Sequence, residues 1–453
     1  MHGRQLVDQE RYDDALAVFD RLIRLEPGIA VGHTWRARAL AALGRSAQAL
    51  ESADRALELD PAGRDAWRWK GRALLAMDQA APALRALRLA EPGETPTEQA
   101  DHLADIGYAL GALGRRDEAL AAYDAAVARA PGAPLARYRR GFMRLLAGDF
   151  SNGWGDHEAR WARRTTQTTS PRMTPAMRKR LTLSPTVDDL RGQRVLVVDE
   201  QGVGDVIMFA SVLPDLADVA ASVTCLVESR LLQLFAISFP DLKVVAGQGP
   251  ALVDLEEFDR VVAIGSLPHA FRRHLGDFPG RPYLAPRASV TETWRSRLGH
   301  ARGKLRVGFS WRGGLATTRA QARSMSLETL RPLIEREDVE AVSLQYGDVQ
   351  EEVAVFNHSL GRPMVSFPRR QIEDFEQLAG LVCALDVIVT VQTALAHLTG
   401  AVGARGIVMI PAEPEWRYLA AGDRLPWYQS VRLVRQTAAG DWGGVIDRVG
   451  AEF

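Results

Sequence analysis

The stretch RVLVVDEQGVGDVIMFA, residues 194–210, decides the fold of the larger part of this chain. A short run of β-branched and apolar residues passes into the glycine-containing loop 200–205, and an apolar helix-forming segment follows. Strand, glycine loop and helix in this order are typical of the first unit of a parallel sheet that carries helices on both faces.

The same alternation continues to the C-terminus in two successive runs. The polar segment TETWRSRLGHARG (291–303) separates the first run from a second start, LRVGFSW (305–311). Two such runs predict two Rossmann-like lobes, 190–288 and 289–453, whose ligands bind at the carboxyl ends of the strands. The last helix, within GDWGGVIDRV (440–449), is expected to pack back on the first lobe.

Upstream of this region the chain repeats itself. The phrases RLIRLEPG (21–28) and RALELDPAG (55–63) end their segments in the same way, with Pro27 and Pro61 34 residues apart. Small residues recur at that interval at Ala15, Ala49 and Ala83, and Ala119 follows after 36. Small residues that let paired helices approach, with proline after the second helix, predict a tetratricopeptide solenoid of about four and a half units over 1–163.

The concave face of such a solenoid normally holds a peptide or protein. On the leading helices we expect this face to carry basic and aromatic residues, namely Arg38, Arg68, Arg72, Tyr108, Tyr138 and Phe142. An ordinary solvated helix face and a dimerisation surface are the alternatives. Trp154 and Trp161 are expected to cap the open end of the array, and the Thr-, Pro- and Arg-rich segment 164–189 is expected to be a linker.

Composition excludes several classes of protein. A length of 453 residues predicts two or three domains, and a formal net charge of zero favours neither nucleic acid nor an anionic membrane as partner. Cys225 and Cys383 lie in apolar runs and are expected to be buried free thiols of a reducing compartment. There is no apolar run of the roughly 20 residues that a membrane helix needs, so we expect a cytoplasmic protein.

The loop after the first strand is the first candidate site. Gly202 and Gly204 allow close approach of a ligand, and Asp205 is either the N-cap of the next helix or a general base. A dehydrogenase fingerprint needs a further glycine where Ile207 stands, so an oxidoreductase with Glu228 as ribose ligand is a weak alternative.

Two further candidates lie in the second lobe. Paired glycines follow Ser310, Trp311 and Arg312, and the pattern Arg323–Ser324 comes soon after; both suit a diphosphate, with a plain solvated loop as the alternative. Thr393 begins a helix after a strand, with His397 one turn later as a ligand or a packed core residue. No Asp-x-Asp and no metal-type His/Cys spacing occurs, so no metal cofactor is expected.

Residues from about 190 onward resemble the ADP-heptose:lipopolysaccharide heptosyltransferase-like family, and more closely its bacterial members that follow tetratricopeptide repeats. The phrases that carry the resemblance are DEQGVGDVIMFA, VGFSWRGG, RSMSLETLRPL, VSLQYGD, VQTALAHLTGAVG and PEWRYL with the PWYQSVRLVRQTAAGDW that follows. The resemblance implies a GT-B fold of the α/β class, with the acceptor on the first lobe and a nucleotide-sugar on the second.

The resemblance also implies metal-independent, inverting transfer with Asp205 as general base. The donor-binding residues that we expect from it and from the motifs are Gly202, Gly204, Ser310, Trp311, Arg312, Gly313, Arg323, Ser324, Gln345, Gln392, Thr393 and His397. Gln392 stands where the family usually has Asp, which indicates a changed donor or a weakened enzyme.

A glycosyltransferase acting on a protein, with flagellin as a guess from similar proteins, is the preferred interpretation. A transferase acting on a saccharide or lipid-linked acceptor and a non-catalytic scaffold are the alternatives. Near the C-terminus Trp416, Arg417, Trp427 and Tyr428 fall in a loop-rich stretch, where they either stack on the ligand or fasten the last helix. Trp442 is expected to pack.

Overall fold

The structure is a computed structural model that describes residues 2–162, 172–247, 253–301, 303–313 and 321–453. The chain divides into two compact units, Met1–Arg144 and Leu145–Phe453.

The first unit is a series of helix hairpins. Its helices are α1 (His2–Asp8), α2 (Tyr12–Leu25), α3 (Ala30–Ala42), α4 (Ser46–Leu59), α5 (Arg64–Ala76), α6 (Ala80–Leu89), α7 (Pro96–Ala112), α8 (Arg116–Arg129) and α9 (Pro134–Leu146), whose last two residues belong to the second unit. We call α1, α3, α5, α7 and α9 the leading helices, and α2, α4, α6 and α8 the trailing helices.

Small residues make these hairpins close, as the repeat pattern predicts. Ala15, Ala49, Ala83 and Ala119 are completely buried. A Cβ on Gly71 would lie 2.6 Å from Leu87 Cγ, and one on Gly107 would lie 2.8 Å from Tyr123 Cε1. Larger residues at these glycines would push the paired helices apart.

The second unit begins with short helices, α10 (Phe150–His157), α11 (Pro175–Lys179) and α12 (Val187–Leu190). Its first lobe has the strands β1 (Arg194–Val198), β2 (Ser222–Val227), β3 (Lys243–Ala246) and β4 (Arg260–Ala263), in the parallel order β3-β2-β1-β4. The helices of this lobe are α13 (Val203–Phe209), α14 (Leu213–Val219), α15 (Leu232–Ser238) and α16 (Pro268–Phe271). The predicted bridging helix follows as α17 (Ala288–Leu298).

The second lobe has a six-stranded sheet in the order β6-β5-β7-β8-β10-β9. Its strands are β5 (Leu305–Ser310), β6 (Val339–Ser343), β7 (Val387–Thr390), β8 (Gly406–Ile410), β9 (Arg424–Leu425) and β10 (Tyr428–Arg435), and only β9 runs antiparallel to its neighbour. Its helices are α18 (Arg331–Ile334), α19 (Gln350–His358), α20 (Arg369–Ile372), α21 (Phe375–Val382), α22 (Ala394–Ala401) and α23 (Trp442–Gly450). The predicted fold class, a helical solenoid followed by two Rossmann-like lobes, is therefore confirmed.

The C-terminal region differs from the expectation. Tyr428 begins the strand β10 instead of lying in a loop, because polar residues on this half-exposed strand hide its pattern. The last helix does not pack on the first lobe: Val445, Ile446 and Val449 of α23 lie in the core of the second lobe, and Trp442 packs against the same core.

The segment between the array and the first strand is also more ordered than a linker. Met177 of α11 is buried in the core of the first lobe, and Leu181 forms a parallel bridge with Val261. Residues 164–171 of the expected linker lie outside the described residues. Of the two free thiols, Cys225 is buried as expected and Cys383 is half-buried.

Candidate functional site

The loop after β1 places Asp205 at the start of α13. Gly202 is the N-cap, and Asp205, three residues later, accepts a hydrogen bond from the Gly202 N–H through Oδ2 at 3.2 Å. Asp205 is therefore not the N-cap, although its carboxylate does satisfy a free N–H of the helix start. Its other oxygen, Oδ1, takes no part in this cap and is available to another group.

Asp205 Oδ1 accepts a hydrogen bond from Arg417, 212 positions further along the chain. Arg417 lies in a 3-10 turn of the second lobe, with Glu415 Oε2 3.7 Å away and the Trp416 ring centroid 4.9 Å away. The Asp205 side chain is 13% exposed, so this ion pair is largely shielded from water. The pair joins the two lobes at the carboxyl ends of their strands.

A glycine makes this junction close. A Cβ on Gly204 would lie 3.1 Å from Ala394 Cα and 3.4 Å from His397 Cδ2, so the first turns of α13 and α22 are in contact. Two helix N-termini, each following a parallel strand, therefore meet beside Asp205. Such N-termini offer free N–H groups to an anion.

His397 lies in α22 with both ring nitrogens within reach of tyrosine hydroxyls. Nδ1 is 3.2 Å from Tyr428 Oη and Nε2 is 3.4 Å from Tyr418 Oη. Burial, reinforced by the charge of Arg417, lowers the pKa of His397 to about 3. The imidazole is therefore neutral at physiological pH and serves as a hydrogen-bonding core residue in this structure.

Gln392 and Thr393 lie at the N-terminus of α22. Thr393 is the N-cap, but its hydroxyl lies 3.1 Å from Thr390 Oγ1 and makes no capping bond. Gln392 Oε1 accepts from the Glu415 N–H at 3.5 Å, while Gln392 Nε2 is buried and has no hydrogen-bond partner in the described part of the chain. A buried amide N–H₂ without a partner is costly, and a ligand oxygen at this position would satisfy it.

The loop after β5 is held by Gln345. Gln345 Oε1 accepts from the N–H groups of Trp311 and Arg312, both at 2.8 Å, and from Ser310 Oγ at 3.2 Å. Its Nε2 donates to the carbonyl of Arg312 at 3.0 Å. The structure thus uses Gln345 and Ser310 to shape the loop, and their contact with a donor stays a prediction.

The end of this loop reaches α22. A Cβ on Gly313 would lie 2.4 Å from Thr393 Cγ2, and the Gly313 N–H donates to Ser324 Oγ at 3.2 Å. Gly314 lies outside the described residues. Arg323 Nη1 is 3.9 Å from Glu415 Oε1, which makes Glu415 a shared neighbour of Arg323 and Arg417.

The Arg312 side chain pairs with a carboxylate of α19. It makes a bidentate ion pair with Glu352, at 2.9 Å and 2.6 Å, and Trp311 Nε1 donates to the same carboxylate at 3.3 Å. The structure therefore brings together Gly202, Gly204, Asp205, Gly313, Arg323, Ser324, Gln392, Thr393 and His397, and it holds Ser310, Trp311, Arg312 and Gln345 in the adjoining loop. Donor binding by any of them stays a prediction.

The segment Phe150–Ala162 precedes the first lobe and packs against residues next to this site; we call it the pre-lobe segment. Trp154 does not cap the array: its indole donates to the Arg272 carbonyl at 2.7 Å and packs edge-on against Trp416, with ring centroids 5.6 Å apart. Trp161 is likewise buried, and its carbonyl accepts from Arg178 Nη2 at 2.6 Å. Both tryptophans thus belong to the second unit, because that unit offers the apolar surface that they cover.

A buried charge cluster continues from the same segment. Arg160 contacts Glu200 through Nε at 2.8 Å and Nη2 at 2.5 Å, and it donates to Glu158 Oε1 at 2.6 Å. His157 Nδ1 lies 3.2 Å from Arg160 Nη1, so this nitrogen must be the acceptor. Burial and then the charges of Arg160 and Arg417 hold the pKa of His157 well below its ordinary value.

Sequence reasoning missed this cluster and the role of Glu415. Arg160 and Glu200 are 40 positions apart in chain segments assigned to different domains, so no local pattern connects them. The one available signal is the density of charged residues between Trp154 and Trp161, which is unusual for a helix end that is also rich in tryptophan.

The residues expected on the concave face lie in the first unit. Arg72 Nε donates to Asp105 Oδ2 at 2.6 Å, and Arg38 lies 3.8 Å from Asp8. The rings of Tyr138 and Phe142 have centroids 4.4 Å apart. Arg68 pairs with Asp65, and Arg139 lies over the Tyr108 ring at 4.9 Å. These residues follow consecutive leading helices; acceptor binding by them stays a prediction.

Glu228, the ribose ligand of the oxidoreductase alternative, makes an ion pair with Arg230, and Ile207 is fully buried.

Among the described residues there is no group of three or more His, Cys, Asp or Glu side chains arranged to hold a metal ion. None of the described helices has the length and apolar composition that a membrane span requires.

Comparison with known proteins identifies the first unit. The family model described as tetratricopeptide repeat matches residues 1–63, 35–97 and 104–165. The helical array is built of tetratricopeptide repeats. A thermophilic tetratricopeptide-repeat protein from Thermus thermophilus is similar to it, with 24% identity and a TM-score of 0.30 over 34% of this chain and 84% of that chain.

Two further proteins are similar over larger parts of the chain. Protein FlbA of Caulobacter vibrioides is 30% identical over 362 residues, which are 74% of this chain and 58% of FlbA. The chain thus spans less than two thirds of the length of that relative. The ADP-heptose lps heptosyltransferase II of E. coli is 13% identical, with a TM-score of 0.41, over 57% of this chain and 98% of that chain.

Proposed function

We propose that this chain is a glycosyltransferase that moves a sugar from a nucleotide-sugar to a protein held by the tetratricopeptide array. The observation that carries the proposal is the junction at the strand ends, where Asp205 of the first lobe meets Arg417 and the start of α22 from the second. The proposal is supported by a carboxylate lying next to a helix start, because glycosyl transfer needs a base and a group that stabilises the leaving phosphate at one point.

In this mechanism Asp205 takes the proton of the acceptor hydroxyl as that oxygen attacks the anomeric carbon and the bond to the nucleotide phosphate breaks. The leaving phosphate is stabilised by the N-terminus of α22, by Arg323 and by Gln392 Nε2, which has no partner among the described residues. We propose that these groups neutralise the phosphate charge without a metal ion and that transfer inverts the configuration.

Arg417 has a place in this mechanism that the sequence did not assign. It pairs with Asp205, and Glu415 lies next to both Arg417 and Arg323. An anionic donor would compete with Asp205 for Arg417, and the freed carboxylate could then accept a proton. Donor binding would thus precede activation of the acceptor.

A non-catalytic scaffold is the second candidate, and the same ion pair favours it. Both oxygens of Asp205 accept hydrogen bonds, one from Arg417 and one from the Gly202 N–H. If a bound donor leaves this pair intact, both oxygens of Asp205 stay occupied and neither can take the proton of an acceptor hydroxyl. Donor binding without transfer of the sugar would identify this case.

The experiment incubates the full chain with labelled nucleotide-sugars and a protein extract of the source organism, and follows the label into protein, saccharide and lipid fractions. We expect protein labelling that Asp205→Asn reduces by about a hundredfold or more. Asp189→Asn is the matched control, because Asp189 has the same capping-box position in α12. Label in the lipid or saccharide fraction would replace the protein acceptor, and full activity of Asp205→Asn would refute the base assignment.

A further inference from the structure

Charge is unevenly divided in the first unit. The five leading helices contain eleven Arg or Lys residues and five Asp or Glu residues, whereas the four trailing helices contain seven basic and nine acidic residues. The whole chain has a net charge of zero, so this division is a local feature. The leading side of the array is therefore positive against a neutral background.

The arginines of the leading helices are stacked on tryptophans in a continuous series. Arg4 lies over the Trp35 ring at 5.3 Å, and Arg38 lies over Trp35 at 4.9 Å and over Trp69 at 5.7 Å. Arg72 lies over Trp69 at 5.0 Å. We call Arg4, Trp35, Arg38, Trp69 and Arg72 the Arg–Trp ladder; it crosses from α1 through α3 to α5.

Stacking fixes the flat face of each guanidinium and leaves its N–H edge to bind an anion. The carboxylate near Arg38 is Asp8, at 3.8 Å and on a side chain that is 58% exposed. Burial, opposed by Asp8 and Glu98 and reinforced by Arg68 and Arg72, lowers the pKa of Arg38. Arg68 pairs with Asp65 and Arg72 Nε with Asp105, so these two guanidiniums are compensated in part, and Arg38 has the most distant carboxylate of the three.

Two buried polar atoms beside the ladder support this view. Arg68 Nε and His102 Nδ1 have no hydrogen-bond partner within the described residues, although both atoms are shielded from solvent. Burial lowers the pKa of His102, the charge of Asp105 opposes this shift, and the charges of Arg68 and Arg72 reinforce it, so His102 lies near these three charged side chains. Arg68 Nε–H is a donor whatever its surroundings, and a buried donor without a partner next to positive charge favours an anionic ligand.

We propose that the Arg–Trp ladder binds an extended acidic segment of a partner protein, whose carboxylates bond the guanidinium edges of Arg38, Arg68 and Arg72. The identity of this partner as the sugar acceptor rests on the proposed function. A protein suits the ladder better than a nucleic acid, because each indole already has two guanidiniums within 6 Å of its centroid, where a base would have to stack.

The test uses the full chain and fluorescein-labelled peptides of alternating Glu and Ser, about 12 residues long, which reach about 40 Å when extended. Fluorescence anisotropy at low salt measures their Kd. We expect the Glu peptide to bind at least about tenfold more tightly than the same peptide with Gln, and the difference to shrink as salt is added. No nucleotide-sugar is present, so the result does not depend on transfer.

Variants locate the binding surface. The double substitution Arg38→Gln and Arg72→Gln should weaken binding of the Glu peptide by about tenfold or more, and Arg38→Lys with Arg72→Lys should restore part of it. Arg85→Gln with Arg88→Gln removes the same charge from the trailing helix α6 and should change nothing. Equal binding of the Glu and Gln peptides, equal loss in both Gln double variants, or tighter binding of a single-stranded oligonucleotide of equal charge would overturn the proposal.

Discussion

Asp205 and His397 both lie near Arg417 at the strand ends, but a positive charge has different effects on a carboxylate and on an imidazole. Arg417 donates a hydrogen bond to Asp205 Oδ1, whereas burial and then the charge of the same Arg417 keep His397 neutral. The two tyrosine hydroxyls around His397 can donate to or accept from a neutral ring, so this arrangement satisfies both nitrogens without a charge. His397 thus supports α22 while Asp205 supplies the charge of the site.

The low pKa of His397 makes stability depend on pH. The unfolded chain binds a proton at this residue below about pH 6.5, whereas the folded chain does not until about pH 3, so stability falls as pH decreases between these values. We expect the wild type to lose about 1 kcal/mol per pH unit more than His397→Gln between pH 6 and pH 4.5. Urea unfolding at several pH values measures this; parallel pH curves for both proteins would contradict it.

At the scale of elements, α22 depends on a glycine. A Cβ on Gly400 would lie 2.1 Å from Cγ of Tyr428, the first residue of β10, whose hydroxyl contacts His397. Gly400→Ala must therefore displace the helix or the tyrosine, and we expect a loss of about 1–3 kcal/mol in the free energy of unfolding.

Gly155→Ala is the control for this substitution. Gly155 lies in α10, and no described atom is within 4 Å of the position that its Cβ would take, apart from its own helix neighbourhood. Alanine at this helical position should stabilise the protein by about 0.5–1 kcal/mol. Thermal unfolding of both variants checks the pair; equal melting temperatures would show that the contact at Gly400 is relaxed in solution.

Arg160 joins the pre-lobe segment to the loop after β1, because it forms an ion pair with Glu200 of that loop. Arg160→Met leaves Glu158 and Glu200 buried without their cation, and burial already raises the pKa of Glu200 against the effect of Arg160. We expect a loss of about 3–5 kcal/mol at pH 8. The loss should be smaller at pH 5.5, because a carboxylate without its cation binds a proton more readily.

Urea unfolding at the two pH values tests the role of Arg160. Arg191→Met is the matched control, because its ion pair with Asp188 is exposed and should contribute less than about 1 kcal/mol. An equal loss for Arg160→Met at both pH values, or a loss no greater than that of Arg191→Met, would show that the buried cluster does not depend on its cation.

Elements with a strong local pattern could be predicted from the sequence, and contacts between distant segments could not. The strands β1 to β8 are short apolar runs, and the repeat interval places Ala15 and Ala49 correctly. The strand β10 escaped prediction, since exposed polar residues interrupt it. Gly202 and Thr393 could be singled out because each stands between a strand and a helix, and Asp205 because it lies in the first turn of the helix after β1.

At the scale of the whole molecule, the pairing of Asp205 with Arg417 depends on how two lobes fold against each other, and no sequence spacing encodes a contact over 212 positions. The same holds for Trp154, which looked like the end of the array but is buried among Phe209, Trp416 and Trp427 of the second unit. The second unit thus includes residues that the repeat pattern had assigned to the first.

The central claim is that the second unit binds a nucleotide-sugar where Asp205 meets Arg417 and α22. The most direct measurement is a thermal-shift series of the full chain with UDP-, GDP-, ADP-, TDP- and CMP-sugars, because a ligand of the native state raises the melting temperature by mass action. We expect a selective rise with one nucleotide, and a smaller rise when Gln392→Leu removes the unpartnered amide. No rise with any of the five at millimolar concentration would contradict the claim.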